Sequence, residues 1–254
     1  MLLTRGVGKS FGGLRAVDDV TIELPAGSIT AVIGPNGAGK STLMNLISGF
    51  IAPDSGAILL DEGSIAGLRP YQICKMGVAR TFQNLQMFHD MPAQEVVVTG
   101  RQLHRSAPLF AELLMLPSAR RAERAAAEEA GQLLQRMEVP AEFRDRRAGD
   151  LPYGLQRRVE IARALATQPA YLLLDEPAAG LNDDETAALG RTLRRLAGEG
   201  LGIALIEHDI ELVMSVSDRV YVMDAGKVIA SGTPAAVRND PAVIRAYLGD
   251  TVEA

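Results

Sequence analysis

One short segment constrains the fold of this 254-residue chain more than any other: a glycine-rich loop between an apolar run and a helical pattern. The apolar run is Ile29–Ile33, and the loop fits G-x-x-x-x-G-K-[ST] in the strand–loop–helix context that a phosphate-binding loop requires. The residues predicted to line it are Gly34, Pro35, Asn36, Gly37, Ala38, Gly39, Lys40, Ser41 and Thr42.

The chemistry of such a loop follows from its residue types. Glycines let the backbone curl so that successive N–H groups point at phosphate oxygens, and the following helix adds the positive end of its dipole. Lys40 would reach the β- and γ-phosphates, and the Ser41 hydroxyl would ligate Mg²⁺. A dinucleotide-binding loop would need a third glycine where Thr42 stands. The sequence therefore predicts a nucleoside triphosphate site.

Apolar, β-branched runs alternate with helical patterns along the rest of the chain. Continuous runs flanked by helices, such as 29–33 and 171–174, are typical of a parallel sheet covered on both faces. Because short turns join them, we expect the first two strands and 57–60 to be antiparallel. The sequence predicts an α/β fold, a P-loop NTPase core with an antiparallel β subdomain. Its strands are predicted at 2–8, 20–24, 29–33, 57–60, 78–82, 171–175, 202–206 and 219–223.

Between about 84 and 150 the strand patterns stop and helical patterns replace them. The segment 118–139 is rich in Ala, Arg and Glu, and Leu133, Leu134 and Met137 form an apolar stripe on it. We predict one domain over 1–254, with a helical subdomain at about 84–165 inserted into the α/β core. After a hairpin-like turn at 224–226, the tail from Thr233 predicts two short helices.

Composition excludes several classes of protein. The chain has 26 Lys and Arg against 31 Asp and Glu, a net charge of −5, which argues against a protein that coats nucleic acid. Cys74 is the single cysteine, so no intramolecular disulfide forms, as suits a reducing compartment. The N-terminus has no apolar stretch of signal-peptide length, and no run of 18 apolar residues occurs. We expect a soluble, cytoplasmic chain.

A second acidic motif accompanies the phosphate-binding loop. The apolar run from Tyr171 ends in Asp175 and Glu176. A buried strand that ends in an acid fits the Walker-B role, in which Asp175 holds the metal with its water shell. The adjacent Glu176 would then orient or deprotonate the attacking water.

At this point the chain resembles the ABC (ATP-binding cassette) ATPases over essentially its whole length. About twenty residues before Asp175 lies a segment similar to the family's LSGGQ signature, which implies a helix aimed at the γ-phosphate of ATP held by a partner subunit. Pro152 stands in place of the family's Ser, Tyr153 in place of a Gly, and Leu155 in place of the usual Gln. The signature residues are Leu151, Pro152, Tyr153, Gly154, Leu155 and Gln156.

The resemblance implies roles for four further residues. Gln83 matches the Q-loop glutamine that ligates Mg²⁺, and Asn182 stands where the D-loop commonly has Asp. His208 matches the switch histidine that contacts the γ-phosphate and, with Glu176 and Lys40, completes the catalytic set. Phe11 matches the aromatic ring placed against adenine, although simple core packing explains Phe11 equally well.

Two stretches are similar to the branched-chain amino-acid uptake ATPases: 151–163 and the tail 228–249. This resemblance implies a peripheral subunit on the cytoplasmic face of the inner membrane that binds ATP and Mg²⁺. Its partners would be a second ABC ATPase subunit, two integral-membrane permease subunits and, indirectly, an extracytoplasmic solute-binding protein, with no nucleic acid. The transported solute stays open, with leucine, urea, amides and aromatic acids as alternatives.

Two alternative functions remain open. A lipopolysaccharide-export ATPase has a similar helical subdomain, but the tail argues against it. The other is a soluble, non-transport P-loop NTPase. An ABC protein of DNA repair or translation normally carries a second cassette or a long coiled-coil insertion, and this sequence shows neither. A small-molecule kinase would have the phosphate-binding loop but lack the signature and the switch histidine.

The apolar cluster of Leu85, Met87, Phe88 and Met91 fits either a groove for a membrane subunit or the core of the helical subdomain.

Overall fold

A computed structural model describes residues 1–81, 88–104 and 117–248 of the chain. The chain divides into two compact units, one formed by Met1–Arg80 with Ala170–Ala254 and the other by Thr81–Pro169. Among the described residues, the first unit has ten strands, and the elements of the second are helical.

The strands are β1 (Leu2–Phe11), β2 (Leu14–Leu24), β3 (Ile29–Ile33), β4 (Ser55–Leu60), β5 (Gly63–Ser64), β6 (Val78–Arg80), β7 (Tyr171–Asp175), β8 (Gly202–Ile206), β9 (Arg219–Asp224) and β10 (Lys227–Gly232). The helices of the first unit are α1 (Lys40–Ile47), α2 (Pro70–Lys75), α6 (Asp183–Gly198), α7 (Ile210–Val216), α8 (Pro234–Arg238) and α9 (Pro241–Leu248). The helices of the second are α3 (Ala93–Gly100), α4 (Pro117–Arg136) and α5 (Tyr153–Leu165), with 3₁₀ turns at Arg101–His104, Ala141–Phe143 and Ala148–Asp150.

The larger sheet has the order β10-β9-β3-β8-β7-β6, and its last five strands are mutually parallel. Strands β3, β7 and β8 are buried along their whole length, which confirms the prediction of a parallel sheet covered on both faces. Because the carboxyl ends of neighbouring parallel strands lie at one edge of a sheet, the loops after β3, β7 and β8 are brought together there.

The smaller sheet has the order β2-β1-β4-β5 and is antiparallel, as predicted for its three longer strands. The reason given for 57–60 was wrong, however, because β3 and α1 separate β4 from β2 in sequence and β4 pairs with β1. One apolar cluster of buried residues joins this sheet to the larger one through α1; it includes Leu2, Val20, Leu43, Leu46, Val32 and Ile206.

Several predicted boundaries change in the structure. Strand β2 begins at Leu14 rather than at 20, since its first half is a partly exposed, charged ribbon. Strand β6 ends at Arg80, whereas 78–82 was predicted. Strand β10 was not predicted, although the turn before it was: Ala225 and Gly226 both have positive φ, as in a type I′ hairpin. The two short helices predicted for the tail are confirmed as α8 and α9.

In the helical unit, α3 packs against both α4 and α5. The apolar stripe predicted near the end of α4 is buried, with Leu133 6%, Leu134 0% and Met137 0% exposed. Within the described ranges, no helix has the length and apolar character needed to cross a membrane.

Candidate active site

The glycine-rich loop runs from the end of β3 to the start of α1 and depends on glycine at both ends. Gly34 has φ +149°, and a Cβ there would lie 2.0 Å from the carbonyl oxygen of Met223. Gly39 has φ +100°, and a Cβ there would lie 2.3 Å from the carbonyl oxygen of Ala16. Backbone on two sides therefore excludes any larger residue and fixes the path of the loop.

Lys40, the first residue of α1, is directed into this loop. Its Nζ donates to the carbonyl oxygens of Gly34 and Pro35 at 2.7 and 2.9 Å, and the residue is only 6% exposed. Burial lowers the pKa of Lys40, while the charges of Glu176 and Asp175 raise it. The ammonium group thus lies in the field of both acidic residues, where a phosphate oxygen would replace a loop carbonyl as its acceptor. Ser41 follows on the exposed side of α1, and Thr42 is partly buried.

Asp175, at the end of β7, is held on one side by an arginine that the sequence analysis did not single out. Oδ2 of Asp175 accepts from Nη2 of Arg80 at 3.0 Å, and both side chains are at least nine-tenths buried. Nη1 of Arg80 donates to Asn45 Oδ1 at 2.7 Å and to Ser48 Oγ at 2.9 Å. Burial lowers the pKa of Arg80, and Asp175 opposes that shift. Arg80 therefore links the end of β6 to α1 and to the carboxylate on β7.

The second oxygen of Asp175 tests whether a cation fits here. Oδ1 is buried and has no hydrogen-bond partner among the described residues. A buried carboxylate oxygen without a donor is costly unless a cation or a water bound to one satisfies it. Mg²⁺ prefers oxygen ligands, and the charge of Asp175 acts on Lys40, the neighbour of the Ser41 hydroxyl at the start of α1. The residues present therefore fit the metal.

Glu176 follows β7 and His208 follows the neighbouring strand β8, and their side chains are in contact. Nε2 of His208 lies 2.7 Å from Oε1 of Glu176. Glu176 has φ +49°, the left-handed region that costs a non-glycine residue about 1 kcal/mol or more. Its N–H donates to the carbonyl oxygen of Ile206 at 2.9 Å, which ties this strained residue to the end of β8.

The predicted signature segment begins α5 of the helical unit. Pro152 is the N-cap with φ −51° and ψ 144°, and its carbonyl oxygen accepts from the N–H groups of Leu155 and Gln156. The Gln156 side chain donates to the carbonyl oxygens of Gly149 and Leu151, which closes the turn before the helix. Leu151 and Gly154 are buried, whereas Tyr153 is 41% exposed.

An ion pair inside the unit supports this helix. Arg157 and Glu160 are both fully buried and joined at 2.8 Å, and Arg157 also donates to the Tyr153 hydroxyl at 3.3 Å. Burial lowers the pKa of Arg163, whereas the negative charge of Glu160 raises it.

Phe11 and Asn182 are two further predicted site residues that the structure describes. Phe11 is 48% exposed at the end of β1, beneath the Lys9 ammonium at 5.8 Å, so core packing does not explain it. Asn182 is the N-cap of α6 and forms a capping box with Glu185. Gln83, Leu85 and Met87 lie outside the described residues. Of the same apolar cluster, Phe88 is 54% exposed and Met91 is partly buried.

Comparison with known proteins agrees with this geometry. Residues 17–179 match the family described as ABC transporter. A solved structure of an ATP-binding cassette of an ABC transporter, in its ADP conformation, superposes with a TM-score of 0.85 and 32% identity, covering 98% of this chain and 99% of that one. The chain belongs to the ABC transporter family as one of its ATP-binding cassettes: it binds nucleotide and hydrolyses ATP.

Within that family, residues 227–253 match the family described as branched-chain amino acid ATP-binding cassette transporter. The chain is 46% identical to the high-affinity branched-chain amino acid transport ATP-binding protein LivG of Escherichia coli (strain K12), over 98% of both chains. It is 44% identical to BraF of Pseudomonas aeruginosa, which bears the same description, again over 98% of both. Identity to the lipopolysaccharide export system ATP-binding protein LptB of Acidithiobacillus ferridurans is 33%, over 98% of this chain and 97% of that one.

Proposed function

We propose that this chain powers the import of branched-chain or other amino acids, as the ATPase subunit of a membrane transporter. One observation carries the assignment to import: the C-terminal segment 227–253 matches a family defined by branched-chain amino acid transport. The identities of 46% and 44% to LivG and BraF, against 33% to LptB, favour import over lipopolysaccharide export.

In the proposed mechanism the loop and α1 hold the triphosphate. The Lys40 ammonium and the backbone N–H groups of the loop 34–42, in which Pro35 has none, bind the β- and γ-phosphates. The tightly packed Gly34 and Gly39 fix the conformation of this loop. Phe11 stacks on adenine, for which its exposed ring is suited. Mg²⁺, when bound, neutralises charge on the phosphates. Ser41, Gln83 and the unpartnered oxygen of Asp175 would hold it.

Glu176 is the proposed base. Its carboxylate takes a proton from the attacking water, while His208, at 2.7 Å, orients that carboxylate and contacts the γ-phosphate. The signature segment 151–156 would act in trans, with the N-terminus of α5 directed at the γ-phosphate on a second ATPase subunit. Two permease subunits and, indirectly, a solute-binding protein complete the assembly, which places the chain at the cytoplasmic face of the inner membrane.

Reconstitution tests the import function. The chain is co-expressed with the permease and solute-binding subunits of a branched-chain amino acid importer, and the complex is placed in proteoliposomes that contain ATP. We expect ATP-dependent uptake of radiolabelled leucine, isoleucine or valine that E176Q abolishes. Uptake of none of these, with ATP hydrolysis stimulated instead by urea or amides, would contradict the branched-chain substrate. Lipopolysaccharide extraction would contradict import altogether.

The dimer is tested separately by light scattering. We expect the purified chain to be largely monomeric without nucleotide and to dimerise only when ATP is bound and hydrolysis is blocked, as in E176Q. A stable dimer in the absence of ATP would contradict an assembly driven by shared nucleotide.

A further inference from the structure

Glu207, the last residue before His208, is a buried carboxylate to which the mechanism above gives no task. It is 3% exposed. Its Oε1 accepts the backbone N–H of Ala178 at 2.6 Å, and its Oε2 accepts that of His208 at 3.1 Å. One carboxylate therefore accepts two main-chain donors, one on each of its oxygens.

These donors belong to two different loops. Ala178 follows β7 and lies two residues beyond Glu176, whereas His208 follows β8. Another hydrogen bond, from the Glu176 N–H to the carbonyl oxygen of Ile206, also joins the end of β7 to the end of β8. Since Glu176 has a left-handed backbone conformation, it needs surrounding contacts to keep it there. The hydrogen bond from the Ala178 N–H to Glu207 joins the same two loops at a second point, two residues after Glu176.

We propose that Glu207 is a positioning residue for ATP hydrolysis, which clamps the loops after β7 and β8 so that Glu176 and His208 stay within hydrogen-bond distance. The inference rests on the proposed roles of those two residues. Hydrogen bonds from N–H groups to an ionised carboxylate are shorter and about twice as strong as neutral ones, as suits a clamp. A purely space-filling position at the end of a buried strand would need no ionisable group, because burying a carboxylate is costly.

The first test separates catalysis from binding in the full-length chain. In E207Q one oxygen acceptor is replaced by an NH₂ group, so one main-chain donor loses its partner. We expect kcat for ATP to fall between about tenfold and a hundredfold, because small misplacements of reacting groups have effects of that size. Affinity for a non-hydrolysable ATP analogue should stay within about twofold, since the hydrogen bonds of Glu207 go to Ala178 and His208 and not to the glycine-rich loop 34–42.

A matched control is D218N. Asp218 also accepts a backbone N–H, that of Ile29 at 2.8 Å, and binds a second partner, Arg194, in the same unit. A general effect of removing a carboxylate that accepts main-chain donors would appear in both variants. We expect kcat to change in E207Q alone. An equal fall in both, or a fall in affinity for the analogue that matches the fall in kcat, would overturn the positioning role.

The second test is a double-mutant cycle with H208A. If Glu207 acts by holding His208 against Glu176, then E207Q should reduce kcat by less than about twofold when His208 is already absent. Independent, multiplicative effects would overturn the inference. Full activity of H208A alone would instead refute the proposed role of His208, so the two failures are distinguishable. Should E207Q not fold, E207D, which keeps the charge on a shorter side chain, replaces it in both tests with the same expected direction.

Discussion

The Nε2 atom of His208 lies 2.7 Å from Oε1 of Glu176, although 32 residues separate them in sequence. The sheet order explains the contact, because β7 and β8 are parallel neighbours and both loops leave the same edge. The pair is partly exposed, with the histidine 46% and the glutamate 16% accessible, so both groups can reach a bound phosphate and water. This relationship motivates the first two predictions.

Replacing Glu176 by Gln should remove the base and leave the nucleotide site intact. We expect turnover to fall at least about a hundredfold, the usual contribution of a positioned general base. ATP affinity should be kept, because Gln preserves the shape of the residue. Steady-state hydrolysis and binding of a fluorescent ATP analogue measure the two quantities. E176D, which keeps a carboxylate, is the control. More than about half of wild-type turnover in E176Q would exclude the role.

Replacing His208 by Ala should affect ATP hydrolysis but not ADP binding. A hydrogen bond to a charged group is worth about 1.5–3 kcal/mol, which corresponds to a fall in kcat of roughly tenfold to a hundredfold. ADP has no γ-phosphate and should bind H208A as it binds the wild type. Titration calorimetry with ADP and with a non-hydrolysable ATP analogue makes the comparison. Equal weakening of both nucleotides would indicate a structural role for His208.

Arg80 gives a prediction about stability. In R80M the buried carboxylate of Asp175 loses the guanidinium group that pairs with it. Removing one partner of a buried ion pair lowers the free energy of unfolding by about 3–5 kcal/mol. Urea unfolding followed by circular dichroism measures the loss. The double variant R80M/D175N should recover part of it, because no uncompensated charge remains.

Arg194 provides the control for Arg80. Its ion pair with Asp218 is nearly half exposed on both sides, so R194M should cost about 1 kcal/mol or less. A loss in R80M no larger than that in R194M would show that the pair with Asp175 is not important for the folded state.

The pH dependence of stability tests the environment of Glu207. Burial raises the pKa of Glu207 above its ordinary 4.5; the N–H groups of Ala178, His208 and Asp209 lower it and Glu176 raises it. A carboxyl whose pKa is higher in the folded state stabilises the fold fully at acid pH, and that contribution is lost as the pH rises through the folded pKa. The free energy of unfolding of the wild type minus that of E207Q should therefore decrease from about pH 4 upwards and then level off. An increase with pH would contradict the raised pKa.

The sequence was most informative where signals are local. The loop 34–42, the buried runs of β3, β7 and β8 and the apolar stripe of α4 are each contained in one continuous stretch of residues. Strand β10 was missed because it is an edge strand of mixed polarity, paired on one side only. Local pattern does not decide such strands.

Arg80 and Glu207 could not be found from sequence for a different reason. Arg80 lies 95 residues from Asp175, and Glu207 lies 29 residues from Ala178. Glu207 directly follows the predicted strand 202–206, and Arg80 lies inside the predicted strand 78–82, but the partner of each is set by the order of strands in the sheet. An ionisable residue at the carboxyl end of a buried parallel strand, beside a strand that ends in an acid, is the signal that sequence reasoning could use.

Pro152 carries the last prediction. It is the N-cap of α5, where the family pattern has a Ser that would donate its hydroxyl to the γ-phosphate on the partner subunit. Proline has neither a hydroxyl nor an N–H, so we expect this chain to offer its partner a weakened signature, made only by the end of α5 and the Gly154 N–H. Its own ATP would receive the signature of a different ATPase subunit, and the two ATP sites of the dimer would then be unequal. In the assembled transporter, P152S should raise kcat/KM for ATP, by at most the roughly tenfold to hundredfold that a hydrogen bond to a charged group supplies.

The control for P152S is P152A, which also restores the N–H but has no hydroxyl. A serine N-cap further stabilises α5 by about 1 kcal/mol, so the unfolding free energies of both variants are compared as well. We expect P152S to exceed P152A in kcat/KM, and both to match the wild type in the nucleotide affinity of the isolated subunit, because the signature would act only on the partner's ATP. Equal turnover in P152S and P152A would mean that Pro152 only starts a helix, and the proposed asymmetry between the two ATP sites would be wrong.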